Sequence, residues 1–287
     1  MRLTVDITPE HTRLAVDALS EASGLPKQRI KDAMTKGACW WIRKGKQVRL
    51  RRAKQEVAPG TRLMLYYDDA VLARTAEPAV MLANTGRYSV WFKPHGLLSQ
   101  GSQWGDHCSL LRLAELALKK PVFLVHRLDA DAAGLMLIAH DGKAAAALSE
   151  CFAGRTMEKV YLATVVGPLE TTDRQITDPV DGKSATSRVT TVPSGSGAPG
   201  AHSPEGANET RVQVVIETGR KHQIRRHLAG IGHPIVGDRL YGTAERRPLQ
   251  LLAYSLRFDC PLTRRPQAFT LPDERITLTA PGPAQTP

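Results

Sequence analysis

The pattern of apolar positions in the first 70 residues predicts two short helices followed by strands. Apolar side chains recur at roughly helical spacing before a break at Gly24-Leu25-Pro26, at Leu14, Val16, Leu19 and Ala22. A second helix is predicted from Lys27 to about Thr35, ending at Gly37. Strands are then predicted on both sides of a hairpin turn and again after Pro59-Gly60, at residues 38–43, 47–50 and 62–66. Residues 1–70 are therefore expected to form a small α+β domain.

A longer second domain is predicted over residues 80–279, after a linker at 71–79 that has no sustained period. Strands and helices alternate irregularly in it, with strands at 88–92, 159–166 and 211–218 and helices at 109–119 and 144–152. Glycine, serine and proline dominate residues 192–209, which predicts a mobile insertion between two strands. Residues 280–287 are expected to be a flexible tail.

Two apolar segments enclose the polar stretch that is the first candidate site. Residues 122–125 precede His126-Arg127-Leu128-Asp129, and a second apolar run at 135–138 follows the small residues Ala132, Ala133 and Gly134. This order predicts a strand, an irregular turn and a second strand. A carboxylate at such a turn can be held in a cleft beside an arginine. A surface turn with solvated charges explains this stretch equally well when it is taken alone.

A second polar stretch lies where a predicted strand changes into a helix, with Thr218 as the candidate N-cap. His222 and Arg225 are three residues apart, so that on this helix they would share one face. Ile224 and Leu228 would share another face, which can be buried. A basic helix end packed on a sheet would explain this stretch without any function.

Composition favours a globular protein without a membrane segment. The 287 residues are 42% hydrophobic and 23% charged, and no apolar run approaches the roughly 20 residues that cross a bilayer. The N-terminus does not resemble a secretory signal, so a cytoplasmic location is expected. The four cysteines are far apart, which argues against a disulfide framework or zinc ribbon, and no metal is expected.

The distribution of charge points to a polyanionic partner. The net charge is +11, and residues 27–54 contain eleven basic residues against one acid, Asp32. A merely solvated surface would mix the two signs, so we expect RNA-binding cations here, among them Arg29, Lys31 and Arg43. Trp40 and Trp41 could stack on bases, although tryptophan in a small domain is more often part of the core.

Taken together, the motifs are more specific than any one of them, and they resemble the RluA-type pseudouridine synthases over roughly residues 80–275. The residues that carry this resemblance are Lys93-Pro94-x-Gly96, His126-Arg127-Leu128-Asp129 with Gly134, Lys159-x-Tyr161, Gly219-Arg220-x-His222-Gln223-Ile224-Arg225 and Gly232-His233-Pro234-Ile235-Val236-Gly237-Asp238. The N-terminal pattern is similar to the small RNA-binding module first seen in small ribosomal subunit protein four. The resemblance implies a pseudouridine synthase fold, with a mixed, mainly antiparallel sheet and flanking helices.

The resemblance also implies an isomerase that converts uridine to pseudouridine in RNA without a cofactor. Ribosomal RNA is the favoured substrate, transfer RNA is an alternative, and a monomer is expected. Asp129 would attack the base, attack the sugar or promote a glycal, and the family leaves these three open. Arg225 would orient Asp129 and favour its charged form, while Tyr161 would lie along the target base. Arg127 would fill the stack that the extruded nucleotide leaves, and His126 and His222 are further candidate RNA contacts.

Two departures from the family pattern and two rival functions accompany this interpretation. Ala132-Ala133 stand where members commonly have Thr-Ser, and Phe92 stands where they often have Asn. A glycosidase would need two carboxylates at a set separation, but Asp129 and Asp131 in an extended segment would point to opposite faces. A non-catalytic RNA-binding protein on a decayed synthase fold is the second rival.

Overall fold

The computed structural model describes residues 1–193, 208–243 and 247–276, and the chain divides into two compact units. The N-terminal unit consists of Met1–Ala76 and Gln100–Lys119, and the second unit consists of Glu77–Ser99 and the described chain from Lys120 onward. The predicted tail at 280–287 lies outside the described residues, as does most of the predicted insertion at 192–209.

In the N-terminal unit, a four-stranded sheet with the order β1-β6-β3-β4 lies beside a helix pair, and β2 pairs with β5. The strands of this unit are β1 (Arg2–Ile7), β2 (Arg13–Leu14), β3 (Cys39–Arg43), β4 (Lys46–Arg49), β5 (Glu56–Val57) and β6 (Leu63–Asp68). Its helices are α1 (Ala15–Ser23), α2 (Lys27–Thr35), α3 (Asp69–Leu72) and α4 (Leu110–Leu118). Both predicted helices and the predicted hairpin are confirmed.

Residues 100–119 are where the observed units differ from the predicted domains, which assigned them to the second domain. Asp106 explains the difference, because its carboxylate accepts from Arg51 at 2.5 Å and lies 3.0 Å from Nε of Arg49. The indole of Trp40 also donates to the carbonyl of Gln103 at 3.0 Å. The guanidinium of Arg49 stacks on the Trp40 ring, whereas Trp41 packs against the core.

The second unit contains a ten-stranded sheet with the order β12-β13-β14-β11-β15-β10-β8-β7, in which β9 also pairs with β10 and β16 with β15. Its strands are β7 (Val80–Asn84), β8 (Tyr88–Lys93), β9 (Phe123–Leu124), β10 (Ala133–Ala139), β11 (Glu158–Val166), β12 (Arg174–Ile176), β13 (Ser187–Thr191), β14 (Glu209–Ile216), β15 (Leu251–Asp259) and β16 (Pro266–Thr270). Its helices are α5 (Gly142–Ala153) and α6 (Gln223–Gly230), followed later by a 3-10 turn at Asp273–Arg275. Only β10 and β15 run parallel among the named pairs, so the sheet is mixed and mainly antiparallel, as expected.

Each face of this sheet carries its own apolar core. Successive residues of β11 alternate between them, because side chains along a strand point to opposite faces. Leu162 packs in the cluster that contains Leu148 of α5, whereas Val165 packs in the cluster that contains Leu228 of α6. The two helices therefore cover opposite faces. In the part of the chain that the structure describes, no helix is both long enough and apolar enough to span a membrane.

The parallel contact between β10 and β15 fixes where the turn that begins at His126-Arg127-Leu128-Asp129 ends. Gly134 lies opposite Ala253 with φ of +122°, and a Cβ at this position would collide with the backbone of Ala253. Glycine is the one residue that meets both conditions without strain. Gly134 also pairs with Lys93 on the other side, so the chain before it emerges at the centre of the sheet.

Candidate active site

Asp129 lies at the edge of a small pocket of about 90 Å³, with 30% of its side chain exposed. The pocket wall includes Arg127, Ala132, Tyr161, His222 and Arg225. The turn that carries Asp129 follows the short strand β9 and is held by its own backbone, since the Ala132 N–H donates to the Asp129 carbonyl at 3.2 Å. The predicted strand, turn and strand are thus present, although β9 is only two residues long.

Two buried side chains, one at the end of β8 and one in the loop after it, fix this turn on either side of Asp129. The hydroxyl of Ser99 donates to the Leu128 carbonyl at 2.7 Å and accepts from the Leu128 N–H at 3.0 Å. The ammonium of Lys93 donates to the carbonyl of Ala130 at 3.2 Å and also to those of Pro94 and Leu97. Burial lowers the pKa of Lys93 to about 7, against the opposing effect of Asp129. Neither Lys93 nor Ser99 was among the predicted site residues.

Arg225 is brought to Asp129 from helix α6, with Nη1 of the guanidinium 3.6 Å from Oδ2 of the carboxylate. Its closer partner is Asp238, which accepts from Nε at 2.8 Å and from Nη2 at 2.7 Å. Burial acts against both charges, but this paired hydrogen bonding outweighs it, so that the pKa of Arg225 is raised and that of Asp238 is lowered. The sequence predicted the approach of Arg225 to Asp129 and missed the partner Asp238.

His222 reaches Asp129 by a different route from the predicted one. Helix α6 begins at Gln223, and His222 precedes it in the left-handed region, with φ of +56°. The predicted cap is also wrong, because the Thr218 hydroxyl donates to the Gln223 side-chain carbonyl at 2.6 Å rather than capping the helix. Nε2 of His222 lies 3.7 Å from Oδ2 of Asp129, and Nδ1 lies 2.9 Å from the Tyr241 hydroxyl. Burial lowers the pKa of His222, while Asp129 opposes this shift.

Tyr161 lies on β11 opposite an irregularity in β15. The register of the two strands shifts between Val160 and Tyr161, because β15 has one extra residue there, Tyr254, and such a bulge increases the local twist of the sheet. Burial raises the pKa of the Tyr161 phenol, and the charge of Asp129 acts in the same direction. The phenol is therefore protonated at neutral pH, and it is a weaker acid than the phenol of a solvent-exposed tyrosine.

The other predicted RNA contacts lie in three different settings. Arg127 is exposed and lines both the Asp129 pocket and a larger neighbouring cavity. His126 lines the larger cavity, but its Nε2 accepts from the Leu137 N–H at 2.9 Å, and burial lowers its pKa to about 3. Neutral His126 thus supports strand β10. The three RNA-binding cations predicted in the N-terminal unit, Arg29, Lys31 and Arg43, are all exposed.

The positions that depart from the family pattern are packed in the fold. Ala132 and Ala133 are 2% and 1% exposed, and their methyl groups belong to the two apolar clusters. The guanidinium of Arg275 lies 5.1 Å above the ring of Phe92. Asp131 is exposed in a turn, so the expectation of an extended segment from Asp129 to Asp131 is wrong. The turn forms because Lys93 and the Ala132 N–H hold the backbone there.

The family model for RNA pseudouridylate synthases matches residues 87–230, half of the chain. A dual-specificity RNA pseudouridine synthase RluA of Vibrio parahaemolyticus is 32% identical over 186 residues, which are 58% of this chain and 72% of the relative. A ribosomal large subunit pseudouridine synthase D of Vibrio vulnificus is 31% identical, covering 59% of this chain and 58% of the relative. The uncharacterised RNA pseudouridine synthase YjbO of Bacillus subtilis is 31% identical over 73% of this chain and 71% of the relative.

Solved structures show the same fold. Human RNA pseudouridylate synthase domain containing 1 superposes with a TM-score of 0.56 at 21% identity, covering 69% of this chain and 84% of the human one. Human RNA pseudouridylate synthase domain containing 4 gives a TM-score of 0.52 at 23% identity, covering 67% of this chain and 87% of the human one. From the match of the family model and the curated relatives, the chain belongs to the RNA pseudouridylate synthase family and is a synthase of the RluA type.

Proposed function

We propose that this chain isomerises uridine to pseudouridine in structured RNA, with ribosomal RNA as the substrate and Asp129 as the catalytic carboxylate. The observation that carries the proposal is the setting of Asp129. Its Oδ2 faces Nη1 of Arg225 at 3.6 Å and Nε2 of His222 at 3.7 Å, in a pocket that Tyr161 also lines. A single carboxylate among cations and an aromatic ring suits chemistry on a uracil.

In this reaction the glycosidic bond breaks, the uracil turns and its carbon 5 bonds to the ribose. The carbon 5 proton leaves and the freed nitrogen gains one, so there is no net change in composition and no cofactor is required. Asp129 begins the sequence by attack on the base, by attack on the sugar or by promoting a glycal. All three routes use an oriented carboxylate, and the guanidinium of Arg225, 3.6 Å from Oδ2 of Asp129, is placed to orient it.

Preorganisation of Arg225 is what makes this role efficient. Its guanidinium is already held at two nitrogens by Asp238, and therefore needs no rearrangement when substrate binds. The protonated phenol of Tyr161 offers a stacking surface and a proton for the later steps. Arg127 is exposed beside the pocket and can take the place of a nucleotide that has left the stack.

Two observations support RNA, and ribosomal RNA in particular, as the substrate. One relative carries the name ribosomal large subunit pseudouridine synthase D, whereas another is named dual-specificity, which keeps transfer RNA as the alternative. The helix pair of the N-terminal unit beside a four-stranded sheet, with exposed Arg29, Lys31 and Arg43, supports its assignment as the RNA-binding module similar to that of small ribosomal subunit protein four. Cytoplasmic location and a monomeric state stay predictions.

The test of this function compares Asp129→Asn with wild type on ribosomal and transfer RNA transcripts tritiated at carbon 5 of uridine. Wild type should release tritium, and the variant should be slower by at least about a thousandfold, as for loss of a catalytic nucleophile. Asp131→Asn is the matched control, because it removes the same charge from an exposed neighbour. Tritium release by the Asp129 variant at the wild-type rate would exclude Asp129 as the catalytic carboxylate. If wild type released no tritium from any transcript, the non-catalytic RNA-binding protein would be favoured.

A further inference from the structure

A second cavity, of about 510 Å³, adjoins the Asp129 pocket in the second unit. The two share five lining residues, so a ligand that extends out of the pocket enters this cavity directly; they are Arg127, Tyr161, Ile216, Gly219 and Arg220. Much of the remaining lining is apolar, and its largest apolar side chains, the apolar floor, are Val125, Leu135, Phe152, Val160 and Leu256. A flat, largely apolar group can lie there, in a volume several times that of the pocket.

The wall of this cavity has a strong excess of positive charge. Four cations line it, and they are Arg127, Arg155, Lys159 and Arg220. Glu217 is the one acid among its lining residues, and it lies 3.7 Å from Arg188, outside the cavity lining. Arg155 adopts the left-handed region with φ of +59°, a conformation that is uncommon for residues other than glycine. An apolar floor beneath a cationic wall matches the chemistry of a nucleotide.

Among the cations of the cavity lining, Lys159 has no anionic partner in the described part of the chain. It is 5% exposed, yet its ammonium makes no hydrogen bond or ion pair with any residue in the described ranges. Its neighbour in sequence, Glu158, lies 3.5 Å from Arg257 instead. Burial lowers the pKa of Lys159, and the charge of Arg155 lowers it further. The ammonium thus lies in the cavity lining without a counter-ion, where it can bind an anionic group of a ligand.

The position of Lys159 along the chain sets the size of the ligand. It lies two residues before Tyr161 on strand β11, which corresponds to about 7 Å along an extended strand. If the target base lies against Tyr161, the next nucleotide of the RNA and the phosphate that joins the two nucleotides therefore lie within reach of Lys159. A diffusible anion would need none of the apolar floor.

We propose that this cavity is a subsite for the nucleotide next to the target uridine, in which Lys159 binds a backbone phosphate and the apolar floor receives the flanking base. This inference rests on the proposed function, because it takes the Asp129 pocket as the place of the target uridine. The subsite gives the enzyme a hold on RNA beside the extruded base, independent of the exposed cations in the N-terminal unit.

The test measures binding of the full chain to a fluorescein-labelled heptaribonucleotide that has one uridine between two runs of three adenosines. Lys159→Met should weaken binding about tenfold, and the slope of log K against log salt between 50 and 200 mM should fall by about 0.7. Lys143→Met is the matched control, because Lys143 is exposed on α5, outside the cavity, and carries the same charge. Lys159→Arg should retain most of the affinity.

A set of heptamers, each with one uncharged methylphosphonate linkage, identifies the phosphate. One linkage beside the uridine should weaken wild-type binding about tenfold and abolish the difference between wild type and Lys159→Met. Thermal unfolding of each variant checks the fold, with Lys159→Gln used if the Met variant unfolds. Unchanged affinity, or a loss that no single linkage removes, would overturn the subsite. Because tritium release by wild type and Asp129→Asn is measured separately, failure of the proposed function remains distinguishable from failure of the subsite.

Discussion

Two sets of charged residues, one in each unit, are arranged in opposite ways. In the second unit, Arg225 is 2% exposed and is bonded at two nitrogens to Asp238, whose side chain is fully buried. In the N-terminal unit, Arg29, Lys31 and Arg43 are exposed. Buried charges require partners in fixed geometry, which suits a reaction, whereas exposed charges are screened by salt and suit contacts with mobile phosphates. The difference predicts that substitutions will affect stability in one place and RNA binding in the other.

The largest effect on stability is expected at the buried pair. Asp238→Ala leaves the guanidinium of Arg225 buried, with Asp129 at 3.6 Å as its remaining anionic neighbour. Loss of one member of a buried pair costs about 3–5 kcal/mol in the free energy of unfolding. Urea unfolding measures this cost, and the tritium assay should show that any folded variant has lost activity, because Asp129 no longer faces an oriented arginine.

The next residue in the chain gives the control for this experiment. Arg226 pairs with Asp181 at 2.7 Å, but both side chains reach solvent, and Asp181 is 61% exposed. Asp181→Asn should leave the urea midpoint of unfolding unchanged, because asparagine tolerates the left-handed φ of +51° at this position and only the exposed ion pair is lost. Equal loss of stability in the two aspartate variants would contradict the contrast between buried and exposed charge.

A smaller effect is expected from pH, through His126. Its pKa is about 3 in the folded chain and near 6.5 when unfolded, so between these values the unfolded state binds more protons. Folding stability is therefore lost as pH falls through this window, by about 2 kcal/mol between pH 7 and pH 5. His126→Asn does not titrate, although its shorter side chain does not replace the Nε2 that accepts from the Leu137 N–H.

Urea unfolding of both proteins at pH 7 and pH 5 isolates this contribution. The asparagine variant should lose less stability than wild type over that interval, whatever its stability at pH 7. The same slope in both proteins would show that His126 does not carry this pH dependence.

Local pattern was sufficient for the elements that local chemistry determines. Helix α2 has the predicted bounds, and the hairpin turn contains Lys44 and Gly45 at positive φ. Helix α5 and strand β11 are confirmed because their apolar spacing agrees with their packing. The mixed, mainly antiparallel sheet followed from the family resemblance rather than from any one segment.

The features of the site that the sequence pattern did not predict depend on contacts between residues that are distant in the sequence. The pairing of Arg225 with Asp238 appears only when α6 and the loop after it fold together. Nothing near Lys93 in the sequence shows that its ammonium meets the Ala130 carbonyl, 37 residues away. The convergence of Arg225 and His222 was predicted from helical spacing, but His222 reaches Asp129 through a left-handed backbone that no periodicity encodes.

The smallest effect on stability is expected in the N-terminal unit, where Arg29, Lys31 and Arg43 are replaced together by glutamine. These side chains are exposed, so the melting temperature should not change. RNA binding should weaken, and the slope of log K against log salt should fall by about 0.7 for each phosphate of single-stranded RNA that the variant no longer neutralises. Salt titration of binding to a ribosomal RNA transcript, followed by filter retention, measures both quantities.

The matched control removes the same charge from the second unit, by replacing the exposed residues Lys120, Lys143 and Arg265 with glutamine. Each triple variant lowers the net charge from +11 to +8, so any general attraction for a polyanion falls equally in both. A larger drop in affinity and in salt slope for the N-terminal variant would show that these three cations bind phosphates directly, because only counter-ions released from neutralised phosphates change the slope. Equal decreases in affinity and in salt slope would show that overall charge, and not these three cations, attracts the RNA. The N-terminal unit would then have no specific part in RNA binding, which would be left to the second unit.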